Sequence, residues 1–105
     1  MANAVQCDSL EMVRKQIDRI DTQMLTLLAE RGAYVKQAAS FKRNAAEVAA
    51  PQRVEQVIAK VLDLAAELGA DPHVAELMWR AMIAAFIQSE LAEHAHLHPP
   101  STTES

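Results

Sequence analysis

The stretch LEMVRKQIDRIDTQMLTLLAERGAYVKQAASFKR, residues 10–43, decides the fold. Its apolar side chains fall at Leu10, Val13, Ile17, Ile20, Met24, Leu27, Leu28, Val35 and Ala38. Steps of mostly three and four residues trace one face of a helix. Gly32 is the one glycine in the stretch and no proline breaks it. The spacing therefore predicts a single helix running to about residue 43. Asp8 or Ser9 can cap its start, and Asp8 with Glu11 has the spacing of a capping box. At about 1.5 Å per residue, such a helix is roughly 50 Å long. A compact chain of this size has a radius of gyration of only about 13 Å. The helix must protrude and leave its stripe half uncovered, and a second copy lying antiparallel is the simplest cover.

Working outward, Asn44 to Ala50 reads as a short connection. Pro51 suits the first position of a second helix, with Val54, Val57, Ile58, Val61, Leu62, Ala65 and Leu68 as its apolar face and Gly69 as its stop. Asp71-Pro72 is an N-cap followed by a first-position proline. The third helix carries Val74, Leu77, Met78, Met82, Ile83, Phe86, Ile87 and Leu91, and is expected to fray near His94. β-branched runs are scarce. The fold class is all-α: a three-helix chain with one very long N-terminal helix. One helical domain is expected over 9–95, between a disordered N-terminus (1–8) and a polar, disordered tail (96–105).

Fourteen acids against ten bases give a net charge of -4. That balance argues against a nucleic-acid partner, which would call for a basic face. A small anion is still allowed, because it feels local charge rather than the total. Cys7 is the single cysteine, so no intrachain disulfide can form. No stretch approaches the roughly 18 apolar residues of a membrane span. The N-terminus lacks a basic start followed by an apolar run, so no signal peptide is expected. These features predict a soluble cytoplasmic protein with no membrane partner.

Three cations are oddly placed. Arg31 and Lys42 fall in line with the apolar stripe, and Arg14 lies beside it. A buried cation is costly unless something negative pairs with it. The stripe carries no matching set of acids, so a bound anionic ligand is the natural partner. Each cation also has a plainer reading. Arg31 can snorkel toward Glu30 or Asp21. Arg14 can pair with Asp18 one turn on. Arg14 and Arg31 are roughly 25 Å apart along a helix, so they can share one small ligand only if two chains build the site. Glu90 lies on the face of Ile83, Phe86 and Ile87, either at the edge of the core or in a pocket. Arg53 sits in the first turn of the second helix, where it opposes the helix dipole. An external anion or simple exposure accounts for it equally. Tyr34, Phe41 and Trp79 read as packing residues. His94, His96 and His98 alternate in the tail without fixed geometry, so no metal site is expected.

Taken together, Arg14 in VRKQIDRID, Arg31 in LLAERGAYV, Lys42 in ASFKR, Pro51, Arg53 and Glu90 form a pattern that resembles the all-helical chorismate mutases. It also looks like their close relatives, the isochorismate-pyruvate lyases of salicylate synthesis. The resemblance spans about residues 7–91. It implies an intertwined homodimer of three-helix chains, with each of two sites taking one arginine from the partner. Arg31 and the partner's Arg14 would bind the two carboxylates of a small cyclic dicarboxylate, chorismate or isochorismate. Lys42 would donate a hydrogen bond near the ether oxygen whose C–O bond breaks. Arg53 would help form the anion-binding wall, and Glu90 would also contact the ether oxygen.

Both reactions are pericyclic and need no nucleophile, cofactor or metal. The protein must hold a flexible dianion in a reactive shape and stabilise charge gathering on the ether oxygen. An ionised Glu90 would repel that charge, so it must act protonated, and activity is expected to favour mildly acidic pH. Val54 replaces a glutamate that in true mutases faces the ring hydroxyl, and Phe86 replaces a small hydroxyl residue. Both lean toward the lyases, whereas Glu90 leans toward the mutases. The sequence reading chooses chorismate mutase, with the lyase as the alternative and a non-catalytic helical dimerisation module as the second alternative.

Overall fold

A computed structural model describes residues 3–97. Four helices follow in chain order: α1 (Leu10–Ala39), α2 (Ala45–Ala49), α3 (Pro51–Leu68) and α4 (Pro72–Leu97). No strand occurs among the described residues. The fold is all-α, three principal helices plus one short one. Among the described residues, no helix is long and apolar enough to cross a membrane.

Ser9, rather than Asp8, caps α1: its side chain accepts from the Met12 backbone N–H at 3.2 Å. The helix ends at Ala39, earlier than its apolar periodicity predicts. The bonding pattern changes at Ser40. Its hydroxyl donates to the Gln37 carbonyl at 2.7 Å. Phe41 and Lys42 then donate to the carbonyls of Ala38 and Ala39, each at 3.1 Å. These three-residue closures tighten the last turn and turn the chain away. Lys42 is therefore not on α1, as the stripe implied, but on the turn beyond it.

The expected plain connection over 44–50 contains a helix, α2. Asn44 accepts from the Glu47 N–H at 2.9 Å, and Glu47 reaches back to the Arg43 N–H at 2.9 Å. This is a capping-box arrangement moved one residue outward, and Asn44 with Glu47 is its sequence signal. α2 ends at Ala50, whose φ of 37° and ψ of 60° lie in the left-handed region. That conformation costs a residue with a Cβ about 1–2 kcal/mol. Pro51 then starts α3 at once.

Gly69, at φ 80°, closes α3, and both it and Ala70 donate to the Ala65 carbonyl. Asp71 caps α4 through His73 and Val74. α4 runs to Leu97, past the expected fraying point, and takes in the first residues assigned to the tail. His94 and His96 lie in its last turn, while His98 falls outside the described residues.

The other helices pack on α4, most extensively α3. Val48, Ile58, Ala65, Ala75 and Ile83 are the buried apolar residues, Val48 being 1% exposed. α1 buries none. Leu10, Ile17, Ile20, Met24 and Leu27 of its stripe stand in the open, Leu27 at 63% exposure. Tyr34 and Phe41, read as packing residues, are also exposed. Phe41 lies past Ser40, where the helical phase is already lost, and Tyr34 faces a cavity. Trp79 is half-buried. The radius of gyration is 18.4 Å, with extents of 69 × 27 × 19 Å. A compact chain would measure about 13 Å.

Candidate active site

A cavity of about 330 Å³ lies where the C-terminal half of α1, the turn after it, α2, the start of α3 and α4 meet. This volume is at the small end of the range for metabolite sites. Arg31, Lys42, Arg53 and Glu90 all line it. Four residues far apart in sequence, singled out for their charge, therefore share one enclosure.

Each is delivered by local structure. Arg31 lies on α1 about two and a half turns before its C-cap at Ser40, directly before Gly32. Lys42 reaches the cavity from the turn that begins at Ser40. Arg53 sits in the first turn of α3, placed by the Ala50–Pro51 junction. Glu90 lies on α4 one turn beyond Phe86 and two beyond buried Ile83, so it shares their inward face. Val48, Val54, Val57 and Ile87 supply apolar wall.

The pairing within the cavity is uneven. Lys42 Nζ donates to Glu90 Oε2 at 3.0 Å. Glu90 is buried at 9% exposure, while Lys42 keeps 24%. Arg31 pairs with neither Asp21 nor Glu30. Its guanidinium carbon instead lies 5.7 Å from the centre of the Phe86 ring, a cation–π contact. Arg53 has no ion-pair partner among the described residues. Three cations against one carboxylate leave a local excess of two positive charges in a chain whose net charge is -4.

Arg14 does not line the cavity. It is exposed on the first half of α1, and no ion pair joins it to Asp18 among the described residues. The Arg31–Phe86 contact was not legible in sequence, because nothing in the pattern brings α1 and α4 to that register. Nor was the part played by α2, although the Asn44–Glu47 capping signal was there to find. The Arg43 backbone N–H, and then its guanidinium, hold the Glu47 carboxyl below its ordinary range against a smaller opposing effect of burial. That clamp fixes the start of the helix that carries Val48 into the cavity wall.

The arrangement can bind a compact species with two negative charges and place an ammonium beside a third polar atom. It presents no serine, threonine or cysteine among the lining residues.

The comparisons agree with this chemistry. The family model for chorismate mutase type II matches residues 13–91. An isochorismate pyruvate lyase from Pseudomonas aeruginosa is 33% identical over 85 residues, which cover 81% of this chain and 84% of that protein. A bifunctional chorismate mutase/prephenate dehydratase from Aquifex aeolicus is 33% identical over 100 residues, covering 90% of this chain but 28% of that longer protein. With the model spanning most of the sequence and including all five candidate residues, the chain belongs to the type II chorismate mutase family.

Proposed function

We propose that this protein is a chorismate mutase, converting chorismate to prephenate in a site completed by a second copy of the chain. The observation that carries the reading is the uncompensated pair of positive charges in a cavity of about 330 Å³. A dicarboxylate is the ligand that balances them. Arg31 takes one carboxylate as a two-pronged partner, for which a planar guanidinium is suited. Arg53 adds positive potential to the wall. Lys42 is a compact point charge, tethered by Glu90 and free to turn toward the ether oxygen as negative charge gathers there. Glu90 serves as a second donor to that oxygen when it carries a proton.

The second carboxylate requires Arg14 of a second copy. The open stripe of α1 supports this assembly, since burial of Leu10, Ile17, Ile20, Met24 and Leu27 against another chain would remove a large apolar face from water. The reaction needs no cofactor or metal: holding the dianion in its reactive shape supplies one part of the acceleration and charge stabilisation the other.

A second reading, isochorismate-pyruvate lyase giving salicylate and pyruvate, is favoured by a specific feature. Val54 and Phe86 make part of the cavity wall apolar where a hydroxyl-binding residue would select chorismate. The likeness to a lyase over most of both chains supports it too. The test is to incubate purified protein separately with chorismate and isochorismate and identify the products. Prephenate without appreciable pyruvate release supports the mutase. Salicylate and pyruvate, formed much faster, would replace it with the lyase. Turnover of neither would return the protein to a non-catalytic dimerisation module.

A further inference from the structure

Gly32 stands in the interior of α1, where glycine weakens a helix relative to alanine. Its backbone is ordinary right-handed helix, so it is not there for a turn. What it provides is space. A Cβ at this position would meet Phe86 Cε1 at 3.3 Å and Cζ at 3.4 Å. The edge of the ring therefore rests in a notch left by the missing side chain. The face of the same ring lies under the guanidinium of the preceding residue, Arg31. One ring thus touches two consecutive positions of α1, and it is the missing side chain at one that lets it support the cation at the other.

We infer that Gly32 and Phe86 form a positioning device for Arg31: the notch seats the ring, and the ring holds the guanidinium at the cavity wall ready for a carboxylate. The inference rests on the reading of Arg31 as an anion-binding residue. A free arginine side chain has many rotamers to lose on binding. A ring beneath it restricts them beforehand and leaves the hydrogen-bonding edge of the guanidinium open, because a cation–π contact uses the plane and not the N–H groups. No acid competes for that edge, as Asp21 and Glu30 make no bond to it. Phe86 thus does the holding that a salt bridge would do elsewhere, without neutralising the charge.

The test uses the full chain with Gly32→Ala, Phe86→Leu, Phe86→Tyr and Arg31→Lys. The first readout needs no substrate. In arginine-labelled protein, the Arg31 side-chain NMR signals should be displaced by the ring current in wild type and in Phe86→Tyr, and return to ordinary positions in Phe86→Leu. The second is kinetic, on whichever of chorismate and isochorismate is turned over. Phe86→Leu should raise KM about tenfold, the scale of a partly desolvated cation–π contact, with kcat within about twofold, because a ground-state anion clamp is lost. Gly32→Ala should raise KM about threefold by lifting the ring, on the same grounds, without lowering the melting temperature, since alanine favours the helix. In an Arg31→Lys background, Phe86→Leu should add little, because the two act as one unit. Undisplaced Arg31 signals in wild type would overturn the inference, as would a Phe86→Leu effect of full size in the Arg31→Lys protein. If neither substrate is turned over, the reaction reading fails, while the ring-current measurement still decides the device.

Discussion

The Arg80–Glu55 and Lys42–Glu90 ion pairs both tie α4 to the rest of the chain, and they are built in opposite ways. Arg80 donates twice to Glu55 of α3, at 2.9 and 3.1 Å, and once to Glu76, at 2.8 Å. Lys42 makes a single bond to Glu90, at 3.0 Å. By number and geometry of bonds the first is the better pair. By position it is the weaker one: Arg80 is 42% and Glu55 65% exposed, against 24% and 9% for Lys42 and Glu90. Water competes for every bond of the outer pair and screens its charges. The inner pair lies on the wall of a cavity, where an unpartnered charge is costly and a developing one is strongly felt. The difference is that α4 carries an exposed clasp at Arg80 and, near its end, a buried pair that lines a cavity.

The sharpest break in that comparison is Lys42→Ala. It strands the buried Glu90 and, on the proposed reaction, takes away the ammonium meant for the ether oxygen. Turnover should fall by at least about 10²- to 10³-fold, the scale of losing one preorganised donor. Stability should fall by about 1–3 kcal/mol, the cost of leaving a buried acceptor unsatisfied. Steady-state assay and denaturant unfolding check the two effects separately. If the variant turned over substrate normally, the inner pair would be a second clasp and no more.

Glu90→Gln alters the inner pair without dismantling it. The amide keeps the length of the side chain and an oxygen for Lys42, and it donates at any pH. Activity should persist. If only protonated Glu90 donates to the ether oxygen, wild-type turnover should rise as pH falls and the variant should give a flat profile. A pH–rate curve for both proteins decides this, and the same acidic preference in the variant would remove Glu90 from that role.

Arg80→Ala should do the reverse of Lys42→Ala. It deletes three bonds, yet kcat and KM should stay at wild-type values, and the melting temperature should drop by less than it does for Lys42→Ala. High salt should shrink the difference between Arg80→Ala and wild type, since it screens exposed charges first. A loss of turnover would mean that the clasp positions Arg53, two residues before Glu55, and so reaches the cavity.

The comparison also separates what the sequence made legible from what it did not. Helical periodicity carried the all-α reading, and Pro51, Gly69 and Asp71 marked boundaries because each acts on the backbone beside it. Local chemistry of the same kind at Ser40 and Asn44 was outvoted by the apolar pattern. The stripe continues through Ala38, while the bonding pattern changes at Ser40 and Asn44. Charge placement drew notice to Arg31, Lys42 and Glu90, and an unfavourable helix-dipole position drew it to Arg53, but only the family resemblance joined the four into one site. The sequence pattern could not say that Lys42 would reach Glu90, since 48 residues and two helix crossings set that distance. Nor could it reveal Arg31 over Phe86, or the close approach of that ring to Gly32. Arg14 marks the remaining gap: its placement beside the stripe was readable, but it does not line the cavity, and the role proposed for it calls for a second chain.

The smallest expected effect concerns acid. Arg80, chiefly by hydrogen bonding, holds the Glu55 carboxyl below its ordinary value of 4.5. The Arg43 N–H and guanidinium do the same to Glu47, from the same ordinary value. Glu55 in turn, with Glu76 behind it, raises the pKa of Arg80 further above a range it never leaves in practice, so the arginine contributes no titration. A carboxyl whose folded pKa is depressed binds fewer protons folded than unfolded over the interval between the two values. Its stabilising contribution is complete above the unfolded value and is lost as pH falls through the folded one. Stability should therefore be level from neutral pH down to about 5 and decline below about 4.5, as the carboxyls begin to take up protons in the unfolded chain. Thermal unfolding over that range should show a shallower decline for Glu55→Gln, which has nothing to protonate, from a slightly lower plateau. A wild-type slope in Glu55→Gln would mean that the outer clasp, for all its bonds, holds the folded chain no better than water does.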